Sequence, residues 1–287
     1  MTAIKATFKI GNDLEIHRMG YGAMRITGHG IWGPPKDKSE AISVLKKTVE
    51  LGIDFIDTAD SYGPHISEEL IAEALYPYPK NLVIATKGGL LRTGPNAWPV
   101  DARPDHLQKA LEGSLKRLKL EVIDLYQLHR VDPEVPLEVS LEFLQKAQEK
   151  GLIKHIGLSE VNIAQIERAS KLVKVTSVQN MYSIDQRKWE AVLNYCNNNA
   201  IAFIPWYPLG GGNVQLIDTL NNVGKKYNAT GHQIALNWLY RKSPNILLIP
   251  GTSKISHLEE NFSSLNIELK EEDINILERL SNAGIPG

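Results

Sequence analysis

Leu51–Tyr62 reads LGIDFIDTADSY, and its two halves differ in character. Ile53, Phe55 and Ile56 are β-branched or aromatic and follow the turn-former Gly52, which is the make-up of a buried strand. The polarity then reverses with Asp57, Thr58, Asp60, Ser61 and Tyr62, and Gly63-Pro64 closes the loop. A short apolar strand that ends in carboxylates and a phenol is how parallel barrels assemble sites at the C-terminal rim of their strands. Read alone, the same residues also describe a polar loop in which Asp57 caps a turn.

The pattern recurs along the chain. Leu82–Thr86 delivers Lys87, Val122–Leu128 delivers His129, and Ile153–Leu158 delivers Ser159-Glu160. Thr176–Gln179 ends in Gln179, Ala200–Pro205 delivers Trp206, and Ile246–Ile249 delivers Pro250-Gly251-Thr252. Helical patterns separate these strands; Ser39 is expected to cap the first helix and Gly151 to close the one over 137–150. With a strand near residue 19, eight strand–helix units predict an α/β fold, a closed (β/α)8 TIM barrel. An N-terminal β-hairpin over Thr7–Ile16 precedes it, and residues 1–287 read as one domain. An open doubly wound sheet would favour a dinucleotide-binding turn after the first strand, and RMGYGAM at 18–24 does not match that fingerprint.

Net charge is -1 over 287 residues, which points away from nucleic acid or an acidic membrane as partner. Cys196 is the single cysteine and sits in a helical pattern, so it reads as a buried small side chain in a reducing compartment. The N-terminus lacks a signal-peptide core and no run reaches the ~20 apolar residues of a membrane span, so a cytoplasmic protein is expected. No HxH, HExxH or paired-cysteine spacing occurs, so no metal is expected.

In a barrel, Asp57, Tyr62, Lys87 and His129 converge however far apart they lie in sequence. Singly, each is an ordinary rim residue. Together they form a set for acid–base chemistry. An ammonium beside a tyrosine favours phenolate and is expected to lower the phenol's pKa, and an aspartate holds that lysine charged. A neutral histidine can donate a hydrogen bond to a carbonyl oxygen. Protonating a carbonyl while hydride arrives at carbon needs a cofactor, since no side chain supplies hydride.

The runs GIDFIDTADSYG, ATKGG, DLYQLHRVD and IPGTSKISHLEEN resemble the aldo-keto reductases, in order, over Arg18 to Asn261. The resemblance implies a carbonyl reductase using NADPH, with NADH as the alternative, and the tetrad Asp57, Tyr62, Lys87 and His129 with Tyr62 as general acid. It implies that Gly22, Ala23 and Met24 lie beside the nicotinamide, that Ser159 and Gln179 hold its carboxamide, and that Trp206 stacks on its ring. Leu209 and Gly210 would follow in the loop over the pyrophosphate. Gly251, Thr252 and Lys254 would surround the adenosine phosphate, and Glu260 and Asn261 would meet adenine. The chain departs from the family at Glu160, where Asn is usual, and at His257, where many members carry arginine.

The stretches YGAMRITGHGIWGPPKD and SPNILLIPGTS are similar to bacterial pyridoxal reductases, which makes Trp32, Trp98 and Tyr207 candidate walls for a flat aromatic aldehyde. A broad-specificity aldehyde reductase, a nucleotide-sensing subunit with little turnover and a barrel of unrelated metal chemistry are the rivals. The expected partner is a small carbonyl compound, and a monomer is the default.

Overall fold

A computed structural model describes residues 6–208 and 214–280. Strands β1 (Thr7–Ile10) and β2 (Leu14–His17) pair antiparallel around the turn at 11–13. The chain then alternates: β3 (Tyr21–Gly22), α1 (Lys38–Glu50), β4 (Phe55–Asp57), α2 (Ile66–Leu75), β5 (Val83–Gly88), α3 (Pro104–Leu118), β6 (Ile123–Leu128) and α4 (Leu137–Glu149). It continues with β7 (Ile153–Ser159), α5 (Ile163–Ala169), β8 (Val175–Gln179), α6 (Glu190–Asn198), β9 (Ala202–Phe203), α7 (Val214–Lys225), α8 (Gly231–Lys242), α9 (Ile255–Ser263) and α10 (Glu271–Arg279). Strands β3 to β9 are parallel and lie in chain order.

The expected eighth strand is a pair of bridges rather than a ladder. Leu247 N–H donates to Phe203 O at 2.9 Å on one side, and Gly20 N–H donates to Leu248 O at 2.7 Å on the other. Those bonds close the ring into a (β/α)8 barrel. Pro205 and Pro250 lack the N–H that would lengthen the pairing at this seam.

Alternation with period two sorts the strand residues. Phe55, Val83, Ala85, Leu125, Ala202, Leu247 and Ile249 pack together inside the ring, and Ile10 and Ile16 of the hairpin pack onto them. The hairpin therefore seals one end of the barrel with apolar side chains. The intervening residues Ile56 and Ile84 pack with Val44 and Leu45 of α1. Tyr126, Ile156, Val178 and Phe203 likewise join the main core with the helices. Asp57, Lys87, Gln127 and Gln179 continue the inward rows past the apolar layers, so polar side chains fill the opposite end.

One local reading shifts. Asp37, not Ser39, caps α1: its carboxylate accepts from Glu40 N–H at 3.0 Å and from the Ser39 hydroxyl at 2.7 Å. A charged acceptor at the cap satisfies the free N–H of the third helical position, whereas the Ser39 hydroxyl sits two residues inside the helix. Helix α5 ends at Ala169, and Val173, buried beyond it, donates its N–H back to Ala169 O at 3.0 Å. Helix α6 starts only at Glu190, after a turn in which Ser183 and Gln186 exchange backbone hydrogen bonds.

Candidate active site

Strand register sets the polar end of the barrel. Asp57 pairs alongside Ala85, and Lys87 alongside Gln127, so inward residues of β4, β5 and β6 stand side by side. The Lys87 ammonium donates to Asp57 Oδ1 at 2.6 Å, to Thr58 O at 2.8 Å and to the Tyr62 hydroxyl at 3.4 Å, which uses its three protons. The other oxygen of Asp57 accepts from Gln127 Nε2 at 3.1 Å and Gln179 Nε2 at 2.9 Å. His129 stands edge-on to Tyr62 with ring centroids 6.0 Å apart, and its Nδ1 lies 3.4 Å from the Ser61 hydroxyl. The four residues expected to meet do meet, each nearly stripped of solvent.

Burial dominates their protonation. It pushes the Tyr62 phenol above its ordinary value near 10, although Lys87 pulls the other way. The expectation that the ammonium would leave the phenol lowered is therefore corrected: desolvating a phenolate costs more than one partly committed ammonium returns. Burial alone would discharge Lys87, but Asp57, with Tyr62, outweighs it and raises the ammonium above 10.5. Burial, reinforced by Lys87 and Arg130, holds His129 well below 6.5 and therefore neutral.

Around this centre the rim carries residues that sequence reading overlooked. Gln127 was visible as the inward member of the row Leu125, Gln127, His129, a period-two signal that attention to strand ends alone misses. Arg130 donates from Nη1 to the Ser159 hydroxyl at 2.9 Å and lies 5.6 Å from the Trp206 ring centroid. Glu160 has a definite task. With φ 54 it turns its carboxylate so that Oε1 accepts the Trp206 indole N–H at 2.7 Å and Met181 N–H at 2.6 Å. Ser159 donates to Gln179 O at 2.9 Å, while the Gln179 amide is directed to Asp57.

A cavity of about 530 Å³ is lined by Met24, Arg25, His29, Asn96, Thr252 and Ser253 among others, and by none of Asp57, Tyr62, Lys87 and His129. Gly22 and Gly251 lie against each other: a Cβ on Gly251 would sit 2.7 Å from Gly22 O. Arg25, unmarked in the sequence, brings a cation to the cavity wall. Lys254 is exposed at the start of α9, Glu260 is exposed and Asn261 is buried. Trp98 meets Tyr62 edge-on at 6.4 Å. Trp32 is 37% exposed, and Tyr207, 43% exposed, tilts against Trp206. Leu209 and Gly210 lie outside the described residues. Among the described residues, no cluster of three or more His, Cys, Asp or Glu side chains could hold a metal, and no helix is long and apolar enough to cross a membrane.

A (β/α)8 barrel with a buried Asp–Lys–Tyr–His group at its polar end defines an oxidoreductase of one class. The aldo/keto reductase family matches residues 18–282, and the chain belongs to it. It is 51% identical to an uncharacterized oxidoreductase of Schizosaccharomyces pombe over 93% of this chain and 87% of the relative. It is 41% identical to pyridoxine 4-dehydrogenase of Escherichia coli over 96% of this chain and 98% of the relative. Among solved structures, the thermostable aldo-keto reductase Tm1743 with the inhibitor epalrestat has a TM-score of 0.85 at 31% identity, covering 96% of this chain and 100% of that one. An aldo-keto reductase from Klebsiella pneumoniae in complex with NADPH shares the fold, with a TM-score of 0.83 at 24% identity, over 97% of this chain and 95% of that one.

Proposed function

We propose that this chain reduces an aldehyde to an alcohol with NADPH, that pyridoxal is its substrate, and that Tyr62 is the proton donor. The observation that carries the reading is a protonated phenol 3.4 Å from a buried ammonium, with a neutral imidazole beside it. Pyridoxal is supported by the relative of 41% identity that bears the name pyridoxine 4-dehydrogenase and by the aromatic side chains near Tyr62.

The donor set fits a dinucleotide. The cavity combines backbone-lined walls with the Arg25 cation, suited to a pyrophosphate, and the exposed Lys254, next in sequence to the lining residue Ser253, offers a cation for a further phosphate. Trp206, fixed by Glu160, offers a ring on which a nicotinamide can stack. When bound, NADPH supplies the hydride. The chain's own residues handle the proton. The carbonyl oxygen accepts from the Tyr62 hydroxyl and from His129. If the Ser61 hydroxyl donates to Nδ1 of His129, Nε2 carries the hydrogen and points it at the substrate. As the proton leaves Tyr62, the phenolate forms next to Lys87, whose charge Asp57 anchors.

Initial rates of NADPH consumption test the reading, with pyridoxal against a panel of aldehydes and NADH in parallel. Tyr62→Phe is expected to lower kcat by about 10²–10⁴-fold while NADPH still binds. Equal turnover in the two proteins would remove Tyr62 from its role. Similar rates on every aldehyde would remove pyridoxal and leave a broad-specificity reductase.

A further inference from the structure

Arg92 is absorbed by none of the chemistry above, yet its side chain is among the most heavily engaged at the rim. Nε donates to Ala97 O at 3.0 Å, Nη1 to Ile31 O at 2.6 Å and Ser61 O at 2.9 Å, and Nη2 to Gly30 O at 3.0 Å and Gly94 O at 3.2 Å. Five N–H groups meet five carbonyls, the full donor capacity of a guanidinium. The carbonyls belong to three separate stretches: the 28–33 loop, the segment after β4 that carries Tyr62, and the 94–97 turn. Beyond a 3-10 turn at His29–Ile31 and a few backbone bonds, such as Asn96 N–H to Gly30 O at 3.0 Å, those stretches lie outside the helices and strands of the barrel. Gly30 (φ 66), Ile31 (φ 55) and Asn96 (φ 55) are all left-handed, a conformation that costs an L residue about 1–2 kcal/mol.

The faces of the guanidinium are used as well. Arg92 Cζ lies 3.6 Å from the Trp98 ring centroid and 5.5 Å from that of Trp32, and Trp98 in turn meets Tyr62 edge-on. Trp32, Arg92, Trp98 and Tyr62 thus form one continuous row ending at the phenol. We propose that Arg92 is a positioning residue that fixes this aromatic wall over Tyr62 and so makes the site selective for flat aromatic aldehydes over small aliphatic ones. It touches no substrate; it acts through Trp98, Trp32 and the loop backbones. The inference rests on the reading of Tyr62 as proton donor to an aldehyde.

The experiment compares wild type with Arg92→Ala and Arg92→Lys, using pyridine-4-carboxaldehyde as the flat probe and propanal as the small one. A lysine has three donors on a point and no planar face, so it restores neither the five bonds nor the stack. At saturating NADPH, both variants are expected to raise KM for pyridine-4-carboxaldehyde at least tenfold, with kcat/KM for propanal within threefold of wild type. Trp98→Leu keeps the guanidinium bonds and removes the stack; it is expected to shift KM in the same direction, so the idea stays testable if the Arg92 variants fold poorly. Near-ultraviolet circular dichroism of the free protein gives a readout without turnover: Arg92→Ala should lose at least the tryptophan signal that Trp98→Phe loses. An unchanged ratio of the two aldehydes in all three variants overturns the proposal, as does an equal fall in kcat for both. A dichroism spectrum of Arg92→Ala that matches wild type overturns it too. A wild-type protein that reduces neither aldehyde would instead overturn the reductase reading.

Discussion

Removing the ammonium of Lys87 isolates the energetic core of the site. Its side chain is 0% exposed and that of Asp57 3%, and the two are 2.6 Å apart. Lys87→Met keeps the length and fills the volume but strands the Asp57 carboxylate, leaving it only the two amide donors of Gln127 and Gln179. Breaking a buried pair by taking one partner costs about 3–5 kcal/mol, whereas replacing both charges is often close to neutral. Urea unfolding at pH 7 should therefore place Lys87→Met about 3–5 kcal/mol below wild type. Asp57→Asn combined with Lys87→Met should recover most of that loss. On the proposed role of Tyr62, the double variant should recover stability without activity, since a phenolate there would have no cation beside it. A loss under about 1 kcal/mol for Lys87→Met, well short of that expected for a stranded buried charge, would show that the pair is not holding the site together. A double variant no more stable than the single one would do the same.

Other outcomes follow from the same neighbourhood. Gly88→Ala would place a Cβ 2.1 Å from the Tyr126 hydroxyl, which is buried with no hydrogen-bond partner among the described residues. It should cost about 1–3 kcal/mol, and Tyr126→Phe, itself harmless or stabilising, should rescue it; thermal melts of the three variants decide, and an absent rescue would mean the clash lies elsewhere. Burial, with Glu68 adding to it, raises the Asp60 carboxyl well above 3.8. The folded state then keeps a proton that the unfolded chain releases, so stability falls as pH rises from about 4. Asp60→Asn should flatten that slope in urea midpoints, and parallel pH profiles for the two proteins would contradict the protonated carboxyl. His129 is depressed well below 6.5, so the folded state binds fewer protons than the unfolded chain. Its contribution to stability is present above 6.5 and lost as pH falls below that value. Its ring resonances should show no titration through pH 6.5, and a midpoint there would sink the neutral imidazole.

The ring of strands and the residues at its rim are written in local patterns. Each strand is a short apolar run followed by a polar residue, a local pattern, and the barrel brings such ends together without regard to sequence separation. Asp57, Tyr62, Lys87 and His129 were legible for that reason, as was the hairpin from its turn at 11–13. Only tertiary structure decided the rest, because it depends on which neighbours share a surface. Whether the phenol of Tyr62 rises or falls is a contest between desolvation and one ammonium, and burial is not written in any single stretch. Glu160 looked like a departure from the family until its carboxylate met the indole of Trp206, 46 residues away in the chain. Arg92 has no distinguishing mark in its own stretch, and only in space do three loops deliver five carbonyls to it. Hydrogen bonds to backbone carbonyls leave no compositional trace, since every residue carries one, and so the clamp on the aromatic wall becomes visible only when the loops are placed in space.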